Sequence, residues 1–202
     1  MAKYKKIILA SKSPSRAMIL KTARVPFKVV SVNINEDILK KQGLDKKLTP
    51  RQIASSLSRQ KARTVSEKAP DQYVLGGDQI LVCQGKMFDK PRDMAAARET
   101  LTKLRGRTHT LISAACSFLD GEQVLEIVEE AHLTMEDFSD DFLEDYLARM
   151  GEKILASVGA YQLEAEGAEL FTKIEGDFFT ILGLPLNPVL KFLRQQGIIK
   201  GD

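Results

Sequence analysis

The sequence predicts an α/β fold built around a mixed sheet. Short apolar runs bounded by turn residues alternate with stretches of helical period, which interleaves strands with helices. The run Ile7–Ala10 leads through Ser13-Pro14 into a helix, the strand, tight turn and helix of an α/β unit. Two further turns, Asp120-Gly121-Glu122 and Glu175-Gly176-Asp177, each sit between two strand-like runs, so part of the sheet is antiparallel.

The first helix follows Pro14 and carries Met18, Ile19 and Leu20 on its apolar side. Residues 27–32 predict a second strand, and the polar stretch 33–48 an extended loop with a helical piece. Pro50 opens a long helix in which Ile53, Leu57, Lys61 and Val65 recur every fourth residue, placing a lysine in the core-facing stripe. A strand from Tyr73 to Gly76 ends in Gly77-Asp78-Gln79 and continues through Val82 to a turn at Gln84-Gly85. Asp93 caps a helix that runs to Leu104 and stops at Gly106. Residues 111–119 and 124–133 pair as a hairpin across Asp120-Gly121, and Ser139 caps a helix to Arg149. Residues 170–174 and 178–182 predict a last hairpin, and Leu186 to Gln196 a closing helix.

With 202 residues and 44% hydrophobic content the chain can bury a substantial core, as one domain over residues 1–202 or as two lobes sharing a sheet. Thirty basic residues against 27 acidic ones leave a charge of +3, too small to argue for nucleic acid or an anionic membrane. Cys83 and Cys116 sit in apolar runs without redox or metal spacing, which predicts buried free thiols and a reducing, cytoplasmic compartment. The lysines of the first six residues precede only a short apolar run, so neither a signal peptide nor a membrane span is expected.

Several residues can carry chemistry. Ser11-Lys12-Ser13-Pro14-Ser15-Arg16 brings hydroxyls, backbone N–H groups and a guanidinium to a helix N-terminus, a setting that suits phosphate; an ordinary serine cap is the plainer alternative. No Walker A pattern occurs. Asp78, at the end of an apolar strand, needs a cation or hydrogen-bond donors, unless its own turn satisfies it. Lys61 needs a partner, unless its amine snorkels to water. Lys90 before Pro91, and Glu36 with Asp37, add a cation and carboxylates. Together these are the parts of phosphoryl chemistry, and one or two carboxylates plus substrate oxygens suffice for Mg²⁺.

The order of motifs resembles the Maf family, the septum-formation-inhibitor-like nucleotide pyrophosphatases. The resemblance rests on Leu9-Ala10-Ser11-Lys12-Ser13-Pro14-Ser15-Arg16, Asn35-Glu36, Lys61-Ala62 and Gly76-Gly77-Asp78, then Lys90-Pro91, Leu104 to His109, Gly159-Ala160-Tyr161 and Gly176-Asp177 through Gly183-Leu184-Pro185-Leu186. It implies an elongated mixed sheet flanked by helices, with the site in a cleft between two lobes, as in inosine-triphosphate-type pyrophosphatases. It further implies metal-dependent hydrolysis of a nucleoside triphosphate to the monophosphate and diphosphate in nucleotide-pool housecleaning, and a homodimer. Asp78 would be the general base, a metal ligand or both, and Glu36 the main ligand for Mg²⁺ or Mn²⁺. Lys61 and Lys90 would neutralise the triphosphate, held by Ser11, Ser13 and Arg16. Asn35 departs from the family's usual Asp, so one carboxylate is missing there or was never essential.

The resemblance places base choice on Ser15, Gln79 and Glu164. The last two resemble the 7-methyl-GTP branch rather than the dTTP/UTP branch, although Ser15 departs from both. A carboxylate only accepts hydrogen bonds, so Glu164 suits the N–H edge of guanine and attracts a cationic methylated base; alternatively it faces solvent beside Glu166. A non-catalytic nucleotide-binding regulator of cell division would release no diphosphate, and a nucleotidyltransferase would leave no free monophosphate. His109 and His132 are too isolated to argue a zinc or nucleophilic site, and His132 reads as a strand residue.

Overall fold

The computed structural model describes residues 6–200. Seven strands form one sheet in the order β2-β1-β3-β5-β6-β7, with β4 paired to β3. β1 (Ile7–Ala10) runs parallel to β2 (Phe27–Val29) on one side and to β3 (Val74–Cys83) on the other. β4 (Lys86–Phe88) and β7 (Phe171–Glu175) pair antiparallel with β3 and with β6 (Glu122–Met135). The sheet is therefore mixed. Between β5 (Thr108–Leu119) and β6, Asp120 and Gly121 adopt φ of 52° and 82°, the left-handed pair that a two-residue hairpin turn requires. No helix among the described residues is long and apolar enough to cross a membrane.

Contacts divide the chain into two compact units. The first holds the described residues of Met1–Gln79, Ser113–Glu129 and Gly183–Asp202. Here α1 (Pro14–Thr22) links β1 to β2, while α2 (Glu36–Asp45) and α3 (Pro50–Ser66) link β2 to β3. Thr49 and Gln52 form a reciprocal capping box at the start of α3, which fixes the helical phase that buries Ile53, Leu57, Lys61 and Val65. Ala62 and Val65 then pack with Ile8, Ala10, Val74, Cys116 and Phe118. The closing helix α7 (Leu186–Gln195) buries Val189, Phe192 and Leu193, and Phe192 meets Tyr73 edge-on at 5.8 Å.

The second unit, Ile80–Ile112 with Glu130–Leu182, packs α4 (Met94–Leu104) and α5 (Asp140–Met150) around a core that includes Leu81, Leu101, Leu133, Tyr146 and Tyr161. Cys83 in this unit and Cys116 in the first are buried free thiols. His109 is 1% exposed; its Nε2 meets the Tyr161 hydroxyl at 2.7 Å, and its Nδ1 has no partner among the described residues. Burial pushes the imidazole down to about 4 from its ordinary 6.5. The unfolded chain therefore takes up this proton first, so the contribution of neutral His109 is complete above pH 6.5 and is lost as pH falls through about 4. The expected loss is about 3 kcal/mol. Urea midpoints measured from about pH 7.5 to about pH 4.5 should fall more in the wild type than in His109→Gln; equal falls would refute the assignment.

Three local expectations are corrected. Residues 36–45 form a full helix, not a loop with a helical piece: the Asn35 side chain accepts from Ile38 N at 3.0 Å, and Glu36 and Asp37 favour the N-terminal dipole. Only Gly43 of α2 is buried, so no apolar stripe announced it. The run after Gly176 is not the second arm of a hairpin but α6 (Phe178–Ile181), because Asp177 caps it by accepting from Thr180 N at 3.0 Å. Met18 is 42% exposed, and the buried residues of α1 are Arg16, Ile19 and Leu20.

Candidate active site

Two adjacent glycines on β3 let different partners approach the strand. A Cβ on Gly76 would lie 2.3 Å from the Ser58 carbonyl oxygen and 2.9 Å from Ala62 N, so only glycine lets α3 come this near. A Cβ on Gly77 would lie 2.9 Å from Arg16 Nε, so Gly77 leaves the room in which the Arg16 side chain lies across β3. Side chains alternate along a strand, so Asp78 shares the face of Gly76 and turns toward α3.

There Lys61 meets it. The Lys61 Nζ donates to Asp78 Oδ1 at 2.6 Å and reaches Glu36 Oε1, on the first turn of α2, at 2.9 Å. Both Lys61 and Asp78 are buried, 8% and 5% exposed, so the amine does not snorkel and the carboxylate is not a solvated turn residue. Glu36 is half-buried. Burial raises the Asp78 carboxyl above its ordinary range even though Lys61 and Arg16 pull it down. Glu36 goes the other way: burial acts upward, but Lys61, Lys40 and Arg16 together bring it below the ordinary value.

Arg16, buried in the first turn of α1, donates from Nε to the Gly183 carbonyl oxygen at 2.7 Å and from Nη1 to Ser11 Oγ at 3.3 Å. Burial lowers its affinity for the proton and Asp78 and Glu36 oppose this, so the guanidinium stays a cation. Ser11 Oγ also accepts from Ser13 N at 3.2 Å. Ser13 is the N-cap, accepting from Arg16 N at 3.4 Å, so the plain capping role is realised within the hydroxyl-rich turn. The departure at Asn35 has a local reason: its oxygen caps α2, a task at which Asn and Asp are equal.

The first unit thus gathers Ser11, Ser13, Arg16, Glu36, Lys61 and Asp78, with Ser15 half-buried in the first turn of α1 and Gln79 next to Asp78. Lys90 and Glu164 belong to the second unit, both exposed, Lys90 ahead of the buried Pro91 and Glu164 in a turn. The groups that sequence reasoning missed are Gly183, whose carbonyl holds Arg16, and Ser113, whose hydroxyl accepts from Gln79 Nε2 at 3.0 Å. Gly183 adopts φ 101° inside the already noted Gly-Leu-Pro-Leu block, which was the available signal. Ser113, an ordinary residue within an apolar strand, gave none.

Two carboxylates, two buried cations and a hydroxyl-rich turn can position a phosphate chain and a water beside it. Among the described residues no cluster of three or more His, Cys, Asp or Glu side chains is assembled for a metal. A family model described as Maf-like protein matches residues 6–196. A protein of Caulobacter vibrioides named nucleoside triphosphate pyrophosphatase is 48% identical over 193 residues, 96% of each chain. One from Brucella abortus biovar 1 named 7-methyl-GTP pyrophosphatase is 44% identical over 196 residues, 97% of this chain and 98% of that one. A nucleoside triphosphate pyrophosphatase of Nitrobacter hamburgensis is 44% identical over 196 residues, 96% of each. With matches of this extent to both a family model and curated relatives, the chain belongs to the Maf family.

Proposed function

We propose that this protein hydrolyses a nucleoside triphosphate, with 7-methyl-GTP the favoured substrate, to the monophosphate and diphosphate, using Mg²⁺ or Mn²⁺ held by Glu36 and Asp78. As a Maf family member whose relatives carry the name over nearly their full length, it is a nucleoside triphosphate pyrophosphatase. The observation that carries the chemistry is the buried Lys61 between Asp78 and Glu36.

Asp78 orients a water and takes its proton as the water attacks the α-phosphorus. Burial suits it to this role by raising its pKa toward neutrality. Lys61, Arg16, Ser11 and Ser13 hold the phosphate oxygens and offset the charge that collects on the departing diphosphate. The donor set fits a hard divalent cation: both carboxylates offer oxygen and no thiolate or imidazole competes among these residues. The charges of Glu36, Asp78, Lys61 and Arg16 cancel, so the site itself has no surplus to balance a triphosphate. When bound, the cation supplies that neutralisation.

Relatives named for a general nucleoside triphosphate and for 7-methyl-GTP match the chain about equally, so the base preference is argued from Gln79 and Glu164. A carboxylate at Glu164 accepts from guanine N–H groups and attracts the cationic methylated ring. Side-by-side hydrolysis of 7-methyl-GTP, UTP, dTTP and CTP with Mg²⁺ or Mn²⁺ tests the proposal. The expected result is preferential turnover of 7-methyl-GTP with free monophosphate and diphosphate as products. A strong UTP or dTTP preference would overturn the base assignment, and absence of diphosphate release the catalytic one.

A further inference from the structure

A glycine inside a helix costs stability relative to alanine, so Gly43 in α2 calls for a reason. Its position supplies one. Among the residues of α2 only Glu36, Leu39, Lys40 and Gly43 are not exposed, and steps of three and four residues place them on one face. That face lies along α3. Glu36 Oε1 meets Lys61 Nζ at 2.9 Å, and a Cβ added at Gly43 would lie 2.8 Å from Ile53 Cγ1 and 3.3 Å from Ile53 Cδ1. These two contacts are seven residues apart on α2 and eight apart on α3, in opposite order. The helices therefore run antiparallel, with matched spans of about 10 and 12 Å between the contacts.

The turn that joins them is tight. Lys47 adopts φ 56°, its N–H donates to the Leu44 carbonyl at 2.8 Å, and Leu48 N donates to the Gly43 carbonyl at 2.9 Å, the paired bonds that close a helix end. Ile53 is 1% exposed, and a β-branched side chain in a helix has one strongly preferred rotamer, so it does not turn aside. Any side chain at position 43 has to lift α2 instead. We propose that Gly43 is a positioning residue for Glu36: by letting α2 lie against Ile53 it holds the Glu36 carboxylate beside Lys61, where Glu36 and Asp78 together serve a divalent cation. The inference rests on the metal assignment above and names what keeps one of its two ligands in place.

In Gly43→Ala the added carbon pushes α2 off Ile53 toward an ordinary separation of about 3.5 Å, and because the turn holds the near end the displacement is largest at Glu36. The dissociation constant of Mn²⁺ alone, read from the free-ion electron paramagnetic resonance signal, is expected to rise by about tenfold or more, the scale on which a metal site weakens when a ligand loses its support. Ile53→Ala makes room for the carbon. The double variant Gly43→Ala with Ile53→Ala therefore regains wild-type Mn²⁺ affinity, although its cavity lowers the urea midpoint measured without metal. A role in packing alone predicts that the double variant is the poorer in both respects. Glu36→Gln weakens Mn²⁺ binding in the wild-type background but adds little to Gly43→Ala, since both act through one carboxylate. Only Gly43 of α2 is buried, so the alanine variant keeps its core. A chain that fails to fold, an unchanged Mn²⁺ constant, or no recovery in the double variant overturns the inference alone. A wild type that takes up no Mn²⁺, or a Glu36→Gln variant that binds it undiminished, overturns the metal assignment and the inference with it.

Discussion

Asp78→Asn lowers kcat by about two to four orders of magnitude, the usual contribution of a positioned general base, while the protein stays folded. The two halves of this expectation have separate causes. Asn retains an oxygen where Asp78 Oδ1 now accepts from Lys61, so the packing of α3 against β3 persists. It gives up the negative charge and the ability to take a proton from water. The alternative in which Asp78 is only a structural counterion to Lys61 predicts the reverse pattern, a fall in melting temperature with turnover largely kept. Diphosphate release and thermal melting on the same sample separate the two. The pH profile adds a further check: an acid limb of wild-type kcat/KM that reports the Asp78 carboxyl is lost in Asp78→Asn.

The parts of this site differ in how far the sequence announced them, and the difference is physical. Lys61 was visible because α3 is long and regular: a lysine in the four-residue series of Ile53, Leu57 and Val65 lies on the core-facing stripe, where it either snorkels to water or finds a partner. Asp78 was visible for the matching reason, a charge at the end of an apolar strand. What spacing could not supply was their union, since α3 meets β3 only because Gly76 lacks a side chain at the contact with Ser58 and Ala62. The Asp120-Gly121 hairpin was legible because its turn depends on two adjacent residues. The second hairpin was misread at Phe178–Ile181, where a short apolar run fits strand and helix equally and Asp177 decides through a cap. Helix α2 was understated for want of a buried stripe, yet it is the element that brings Glu36 to Lys61. Arg16 was assigned to phosphate from its motif, but its anchor on a backbone carbonyl at Gly183 joins residues 167 positions apart, which local pattern does not encode.

Lys61→Met is the substitution with the largest expected effect on stability. It removes one ammonium and leaves Asp78 buried without that ion pair, a change that costs about 3 kcal/mol or more and lowers the melting temperature by roughly 10 °C in a chain of this length. The sign of its pH dependence follows from the carboxylate. Without Lys61 to pull it down, the Asp78 pKa rises further above its unfolded value, so the folded variant holds its proton more tightly than the unfolded chain. The deficit is therefore smallest in acid and grows as pH rises through the folded-state pKa. A divalent cation changes the outcome, because in the variant the two oxygens that Lys61 Nζ now reaches at 2.6 and 2.9 Å no longer share their charge with an ammonium. Mg²⁺ or Mn²⁺ should then raise the melting temperature of Lys61→Met by more than it raises that of the wild type, by mass action on the folded state. Turnover should stay low even at saturating cation, since the positive charge that Lys61 brings to the phosphate chain is gone. Equal melting shifts in both proteins would mean that lysine and cation do not draw on the same carboxylates, and would remove Glu36 and Asp78 as the metal ligands while leaving the case for Asp78 as base intact.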